Sequence, residues 1–273
     1  MSLLRAGMVV NQRYRVVRPL GAGGMGEVYL AEDLLAGGRL LALKTVRSVA
    51  ENPATLDSLK REFEVMTRFR HPNLAGVYDF GRLADGEAHF FTMEYVEGAD
   101  LLEATETLGV GELCSLLVQL CRALEYLHSR GFLHRDLKPS NILVAGGGTP
   151  SPVVKVLDFG LLSEVAGLRG GGEAGGTLHY MAPEVLRGHP AERSADLYSL
   201  GVVLYQVLAR RVPFDGPSPE EVVRQHLHEP PPPPRDAGRE GTAALWPVVD
   251  KLLAKEPADR YASATEVIAA LSE

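Results

Sequence analysis

Hydrophobic and polar residues alternate along the first hundred positions with the period of two that is typical of β-strands. Such runs are RYRVV, EVYLAED and RLLALKTV within residues 13–46, and LAGVYDF and HFFTMEYV within residues 74–96. Between these two groups, four apolar residues recur at helical spacing, namely Leu56, Leu59, Phe63 and Met66. The N-terminal part is therefore predicted to be a small antiparallel sheet with one helix.

After Gly98 the period changes to that of α-helices. A leucine stripe runs along residues 113–127, and residues 194–209 form a second helical pattern. The sequence thus predicts an α+β protein with a small lobe at about 12–96, a hinge at about 94–98 and a larger, mainly helical lobe at about 97–273. A cleft between two such lobes is a favoured place for a ligand.

Composition restricts the function classes. The chain has 273 residues, of which 45% are hydrophobic and 23% charged, as in ordinary globular proteins. Its net charge of −7 argues against a nucleic-acid partner, since phosphate backbones are bound by basic surfaces. No stretch reaches the roughly 18 consecutive apolar residues of a membrane span, and the start lacks a signal-peptide pattern. The chain is therefore expected to be soluble. Its two cysteines are too few for a framework of several disulfides, so a reducing, cytoplasmic compartment is expected.

A GxGxxG motif at Gly21, Gly23 and Gly26 is the first candidate for chemistry, because glycines let backbone N–H groups approach phosphate oxygens. A dinucleotide-binding motif would need a helix next, whereas residues 27–30 alternate like a strand. A Walker P-loop would need lysine where Glu27 stands. A glycine-rich hairpin over a phosphate remains, with an ordinary turn as the alternative.

Lys44 lies among apolar neighbours in LALKTV and therefore needs a polar or charged partner. On the predicted helix, Glu62 lies about 60° from the centre of the apolar stripe and Glu64 about 140° from it. Glu62 is therefore the predicted partner of Lys44, and a solvated charge on the flank of the helix is the alternative.

The segments HRDLKPSN at 134–141 and DFG at 158–160 form the most specific motif. Together they supply a base, Asp136, a cation, Lys138, and two oxygen ligands for a hard metal ion, Asn141 and Asp158. A surface ion pair is the alternative for any one of these groups, but not for the whole set.

With these motifs in order, the sequence resembles protein kinases, specifically the catalytic domain of bacterial eukaryotic-like Ser/Thr protein kinases. Further segments that match are Gly176-Thr177, Met181-Ala182-Pro183-Glu184, residues 196–201 and Asp259-Arg260. The resemblance covers nearly the whole chain. It implies that Glu184 pairs with Arg260 in the C-terminal lobe and that Asp196 anchors the loop that carries Asp136. It implies the bilobal protein-kinase fold and the transfer of the γ-phosphoryl group of ATP to Ser or Thr hydroxyls of protein substrates.

The resemblance also implies a role for each site residue. Lys44 would hold the α and β phosphates of ATP and Glu62 would orient Lys44, while Asp136 would act on the substrate hydroxyl beside Lys138. Asn141 and Asp158 would bind Mg²⁺. The remaining nucleotide-binding residues would be Leu20, Gly21, Ala22, Gly23, Gly24, Met25, Gly26, Val28, Ala42, Met93, Glu94, Val96 and Leu143.

Two alternatives to an active protein kinase are considered. A pseudokinase would keep the fold and bind nucleotide without turnover, but it could lose Lys44, Asp136, Asn141 or Asp158, and all four are present. A small-molecule kinase is disfavoured because the Met181–Glu184 segment resembles a peptide-binding element. The expected partners are protein substrates, with no nucleic acid and no membrane segment in this chain. Further domains in a longer parent protein would be compatible with this assignment.

Overall fold

The computed structural model describes residues 3–23, 26–46, 60–61, 63–84, 86, 88–147, 149, 151–158, 178–233 and 241–272. These residues fall into two compact units. The described residues up to Val96 form the first unit, and those from Glu97 onward form the second.

The first unit is built on a six-stranded antiparallel sheet. Its strands are β1 (Val9–Val10), β2 (Tyr14–Gly23), β3 (Gly26–Asp33), β4 (Arg39–Val46), β5 (Val77–Arg82) and β6 (His89–Glu94), in the spatial order β1-β2-β3-β4-β6-β5. The predicted strands are therefore present. Of the predicted helix, residues 60, 61 and 63–66 are helical, and Phe63 and Met66 of its apolar stripe are buried. Residues 47–59 and Glu62 lie outside the described residues.

The central strands of this sheet have two different faces. Tyr29 and Ala31 of β3 share a buried apolar cluster with Leu41 and Leu43 of β4. Their sequence neighbours point the other way, because side chains alternate along a strand. The second face of the sheet therefore carries a different set of side chains.

The second unit is mainly helical. Its described α-helices are α1 (Leu101–Ala104), α2 (Val110–Ser129), α3 (Pro183–Leu186), α4 (Arg193–Ala209), α5 (Pro219–His228), α6 (Trp246–Leu252) and α7 (Ala264–Ala270). A three-stranded sheet joins β7 (Gly98–Asp100), β8 (Ile142–Ala145) and β9 (Val153–Val156) in that order. The predicted α+β class is confirmed. None of the helices in the described part of the chain is long and apolar enough to cross a bilayer.

Helices α2 and α4 form the interior of this unit. The leucine stripe of α2 is buried along its whole length, as predicted, and the helix starts where Glu112 accepts a hydrogen bond from the Gly109 N–H at 2.9 Å. Every residue of α4 from Ala195 to Tyr205 is buried, so this helix is enclosed around its circumference. Polar groups on α4 therefore require specific partners.

One buried ion pair connects distant segments of the second unit. The Arg260 guanidinium donates to both carboxylate oxygens of Glu184 at 2.7 and 2.8 Å. It also donates to the carbonyl oxygens of Ser194, Ala254 and Lys255. The Arg260 side chain is fully buried, so these five hydrogen bonds offset the large free-energy cost of removing its charge from water.

Replacement of Arg260 by methionine is expected to lower the free energy of unfolding by about 3–5 kcal/mol, because Glu184 then remains buried without its counter-charge. Urea unfolding followed by circular dichroism measures the change. The matched control is Arg224→Met on α5, which removes an exposed arginine paired with Glu221 and Glu229 and should leave the stability essentially unchanged. Equal effects of the two substitutions would contradict the role assigned to Arg260.

Candidate active site

The loop that follows α2 is held by a single buried carboxylate. Asp196, in the first turn of α4, accepts hydrogen bonds from the backbone N–H groups of His134 at 2.8 Å and Arg135 at 2.9 Å. Its Oδ2 also lies 2.7 Å from Nε2 of His128. Arg135 adopts a left-handed backbone conformation with a φ of 66°, which a residue with a Cβ adopts only when its surroundings impose it. Asp196 supplies that constraint.

Burial and hydrogen bonding act in opposite directions on the pKa values of this group of residues. Burial raises the pKa of Asp196, but the hydrogen bond from His128 and the nearby His134 lower it more, so its pKa lies below the ordinary value. Burial lowers the pKa of His134, and the neighbouring carboxylates only partly oppose this. Asp196 is therefore a charged acceptor at neutral pH.

Two of the predicted site residues, Lys138 and Asn141, contact a third, Asp136. The Lys138 ammonium donates to both carboxylate oxygens of Asp136, at 3.1 and 2.8 Å. The Asn141 side-chain N–H group donates to the backbone oxygen of Asp136 at 2.8 Å and to its Oδ2 at 2.9 Å. The Asp136 side chain is 29% exposed, so it is fixed in position and still accessible to a substrate.

The two predicted metal ligands lie at the same end of the β8–β9 hairpin. Ile142 pairs with Val156, and the Leu157 N–H donates to the backbone carbonyl oxygen of Asn141 at 2.8 Å. Asp158 follows directly, with a left-handed φ of 52°. The Asn141 amide nitrogen is used by Asp136, which leaves its Oδ1 as the side-chain atom able to bind a cation. Amide and carboxylate oxygens suit a hard divalent ion such as Mg²⁺, so these residues fit the predicted ligand set.

In the first unit, the strand register places the predicted nucleotide-binding residues on one face of the sheet. Val28 pairs with Lys44 across β3 and β4, and Ala42 pairs with Met93 across β4 and β6. Residues directly opposite each other in an antiparallel pair point to the same side. This is the face opposite the Tyr29 cluster. The Lys44 ammonium lies 5.9 Å from the centre of the Phe91 ring on the same face.

The glycine-rich motif forms the hairpin between β2 and β3, as predicted. Gly23 pairs with Gly26 at its end, and Gly26 has a φ of 152°. A Cβ on Gly26 would lie 1.7 Å from the Thr45 carbonyl oxygen, so no other residue fits this backbone. In β2, the first strand of this hairpin, Leu20, Gly21 and Ala22 are exposed.

The predicted hinge begins at Glu94, the last residue of β6. The Glu94 N–H donates to the Gly76 oxygen at 2.7 Å, so Glu94 can offer a ligand only its carbonyl oxygen from the backbone. Val96, two residues later, is 9% exposed, and Leu143 lies in β8 of the second unit. Gly24, Met25 and Glu62, together with residues 159–177 that include Phe159, Gly160 and Thr177, lie outside the described residues.

Two residues at these sites were not anticipated from the sequence. One is His128, which contacts Asp196. Its position one residue after Leu127, as a polar residue on the buried side of α2, could have indicated that it has a buried partner. The hydroxyl of Thr45 accepts from the Glu27 N–H at 3.1 Å and lies 3.2 Å from the Glu27 carbonyl oxygen. That contact depends on the register of β3 against β4, which the alternating pattern alone leaves open.

Comparison with known proteins gives a consistent result. The family model described as "Protein kinase domain" matches residues 14–270. Similar curated proteins include the "Probable serine/threonine-protein kinase PknB" of Lactococcus lactis, 34% identical over 97% of this chain and 42% of that protein. Another is the "Serine/threonine-protein kinase pkn3" of Myxococcus xanthus, 38% identical over 94% of this chain and 49% of that protein. This chain thus spans less than half the length of the curated relatives it matches.

Solved structures show the same likeness. The crystal structure of the Mycobacterium tuberculosis PknI kinase domain superposes with a TM-score of 0.74 at 30% sequence identity, and the match covers 98% of each chain. The fold predicted through the resemblance, a small sheet-containing part and a larger helical part, is confirmed.

Substitution of Gly26 by alanine is expected to lower the melting temperature of the nucleotide-free protein, because the new Cβ collides with the backbone of Thr45. Gly21→Ala is the matched control, since a Cβ there meets nothing within 4 Å. Differential scanning calorimetry of both variants checks the difference. An unchanged melting temperature in Gly26→Ala would show that the hairpin does not require glycine at this position.

Asp196→Asn is expected to destabilise the protein by about 1–3 kcal/mol, since an amide in place of the carboxylate leaves at least one buried donor without an acceptor. Hydrogen exchange at the backbone amides of His134 and Arg135 should accelerate in this variant. Asp250→Asn, an exposed position on α6, is the control and should change neither quantity. Unchanged exchange at both amides would contradict the anchoring role of Asp196.

Proposed function

Because the chain belongs to the protein kinase domain family, we propose that it transfers the γ-phosphoryl group of ATP to Ser or Thr hydroxyls of protein substrates. The observation that carries the proposal is the arrangement around Asp136, whose accessible carboxylate is fixed by Lys138 and Asn141. The names of the relatives, serine/threonine-protein kinases, support the choice of acceptor. They do not favour the pseudokinase alternative.

In the proposed reaction, the substrate hydroxyl oxygen bonds to the γ-phosphorus while the bond from that phosphorus to the β,γ-bridging oxygen breaks. ADP leaves with the electron pair of the broken bond, and the hydroxyl proton passes to the Asp136 carboxylate. Lys138, within 2.8 Å of that carboxylate, places a positive charge beside the transferring group. Positioning and electrostatic stabilisation therefore account for most of the rate enhancement.

Asn141 and Asp158 would hold Mg²⁺ through side-chain oxygens. Held there, Mg²⁺ would supply positive charge that offsets the negative charge of the phosphates. The β8–β9 hairpin supports this role, because its paired strands bring the two residues to one end of the hairpin. Asn141 would then serve two purposes, since its side-chain nitrogen donates to Asp136 and its side-chain oxygen would be a ligand of the cation.

In the first unit, Lys44 would bind the α and β phosphates and Glu62 would orient it. The hairpin of Gly21, Gly23, Gly24 and Gly26 would cover the phosphates with backbone N–H groups, together with Leu20, Ala22 and Met25. Support comes from the strand register that places Lys44 and Val28 on one face of the sheet.

The adenine ring would lie against the apolar side chains that the resemblance implies, namely Val28, Ala42, Met93 and Leu143. The backbone groups of Glu94 and Val96 would supply its hydrogen bonds. This assignment makes residues 94–98 the hinge, residues 12–96 the N-terminal lobe and residues 97–273 the C-terminal lobe. We further propose that the domain acts in cytoplasmic signalling on protein substrates and without nucleic acid.

Asp136→Asn is expected to lower turnover by about 10²- to 10⁴-fold while leaving ATP affinity largely intact, because the amide cannot accept the hydroxyl proton. The measurement is transfer of labelled phosphate from ATP to a generic basic protein with Mg²⁺, followed by phosphoamino-acid analysis. Asp250→Asn should behave like the wild-type chain, and chelation of Mg²⁺ should abolish transfer.

An equal rate in Asp136→Asn and the wild-type chain would refute the assignment of the proton acceptor. Binding of ATP by the wild-type chain without any transfer would instead favour the pseudokinase alternative.

A further inference from the structure

Residues 3–13 precede the part of the chain matched by the kinase family model, which begins at residue 14. They nevertheless form part of the first unit's core. Leu4 and Val10 are each 5% exposed and belong to the apolar cluster of Tyr29 and Leu43. The segment therefore covers the face of the sheet opposite to Lys44.

Within this stretch, residues 3–10 are called the N-terminal segment. Hydrogen bonds attach the segment to strand β2. The Gly7 N–H donates to the Val16 oxygen at 2.8 Å, and the Val16 N–H donates to the Met8 oxygen at 2.8 Å. Val9 and Val10 then pair with β2 as strand β1. These bonds fix the direction of the segment, which brings its first described residues to β3.

At β3 the segment reaches Glu27, the residue directly after the last glycine of the glycine-rich hairpin. The Leu3 N–H donates to Oε2 of Glu27 at 2.8 Å, and the Leu4 N–H donates to the Tyr29 hydroxyl at 3.1 Å. The Tyr29 hydroxyl donates to the same Oε2 atom of Glu27. Glu27 and Tyr29 are two residues apart and so lie on one face of the strand. A carboxylate that accepts two such bonds is a strong anchor.

The main chain of Glu27 is held as well. Its N–H donates to the Thr45 hydroxyl at 3.1 Å, and Gly26 lies so close to the Thr45 carbonyl that only glycine fits. Backbone and side chain together therefore determine where the returning strand of the hairpin starts. Loss of the side-chain anchor leaves the hairpin attached by its backbone alone.

We propose that Glu27 is a positioning residue through which the N-terminal segment holds the glycine-rich hairpin in its phosphate-binding arrangement. This inference rests on the proposed function, in which the hairpin covers the phosphates of ATP. Glu27 does not touch the nucleotide in this scheme, because its side chain points away from the face that carries Val28 and Lys44. It acts by raising the fraction of molecules whose hairpin is competent to bind, and the apparent Kd varies inversely with that fraction.

The test compares two ligands on the full chain by isothermal titration calorimetry with Mg²⁺ present. Glu27→Ala is expected to raise the Kd of a non-hydrolysable ATP analogue about tenfold, as for a competent fraction reduced to about one tenth. The Kd of adenosine, which lacks phosphates, should stay unchanged. A purely structural loss would weaken both ligands equally, so the difference between them identifies positioning.

Two further variants sharpen the test. Glu32→Ala removes a glutamate from the same strand whose partner is the exposed Arg15 at 3.2 Å, and it should alter neither Kd. Glu27→Gln keeps an oxygen that can accept the Leu3 N–H, and it should recover part of the analogue affinity. Deletion of residues 1–5 removes both N-terminal donors and should reproduce the effect of Glu27→Ala.

The outcomes separate this inference from the function on which it rests. Equal analogue affinity in Glu27→Ala and the wild-type chain, or equal weakening of adenosine and the analogue, would overturn the positioning role alone. Failure of the wild-type chain to bind the analogue would overturn the proposed function and this inference with it.

Discussion

The geometry around Asp136 depends on the hydrogen bonds that Asp196 accepts. The segment that carries Asp136 is not part of a helix or strand, and Arg135 within it has a strained backbone. Such a segment lacks the regular backbone pairing of a helix or strand, and a buried carboxylate with several donors holds it more strongly than a neutral acceptor does. The donors in turn make the burial of that charge tolerable, because an unpaired buried carboxylate would be strongly destabilising.

The first unit separates two tasks by using both faces of the same strands. Along β3 and β4, one set of alternate side chains, which includes Lys44, points to one side of the sheet. The other set packs against the N-terminal segment. Glu27 belongs to the second set, and it directly follows the glycine that the Thr45 carbonyl confines.

The sequence predicted what depends on local pattern. The alternation in β3 and β4 and the leucine stripe of α2 gave the α+β class, and the close spacing of Asp136, Lys138 and Asn141 indicated one cluster. Contacts between distant segments were indicated only by the resemblance, which implied the anchoring role of Asp196 and the pairing of Glu184 with Arg260. The Asp196 oxygen that binds the His134 N–H comes from 62 residues away, and no local pattern specifies that partner. The docking of residues 3–10 likewise depends on tertiary packing of Leu4. The roles given to the site residues, among them Lys44, Asp136 and Glu62, remain predictions.

The Arg260–Glu184 pair has a consequence for the order of events during synthesis. Glu184 leaves the ribosome 76 residues before its counter-charge, and α4, whose Ser194 carbonyl also bonds to Arg260, emerges in between. During that interval the helical unit contains a carboxylate that cannot be buried without a large penalty. The nascent chain must therefore keep this region hydrated, and closure of the interior around α4 waits for the arrival of Arg260.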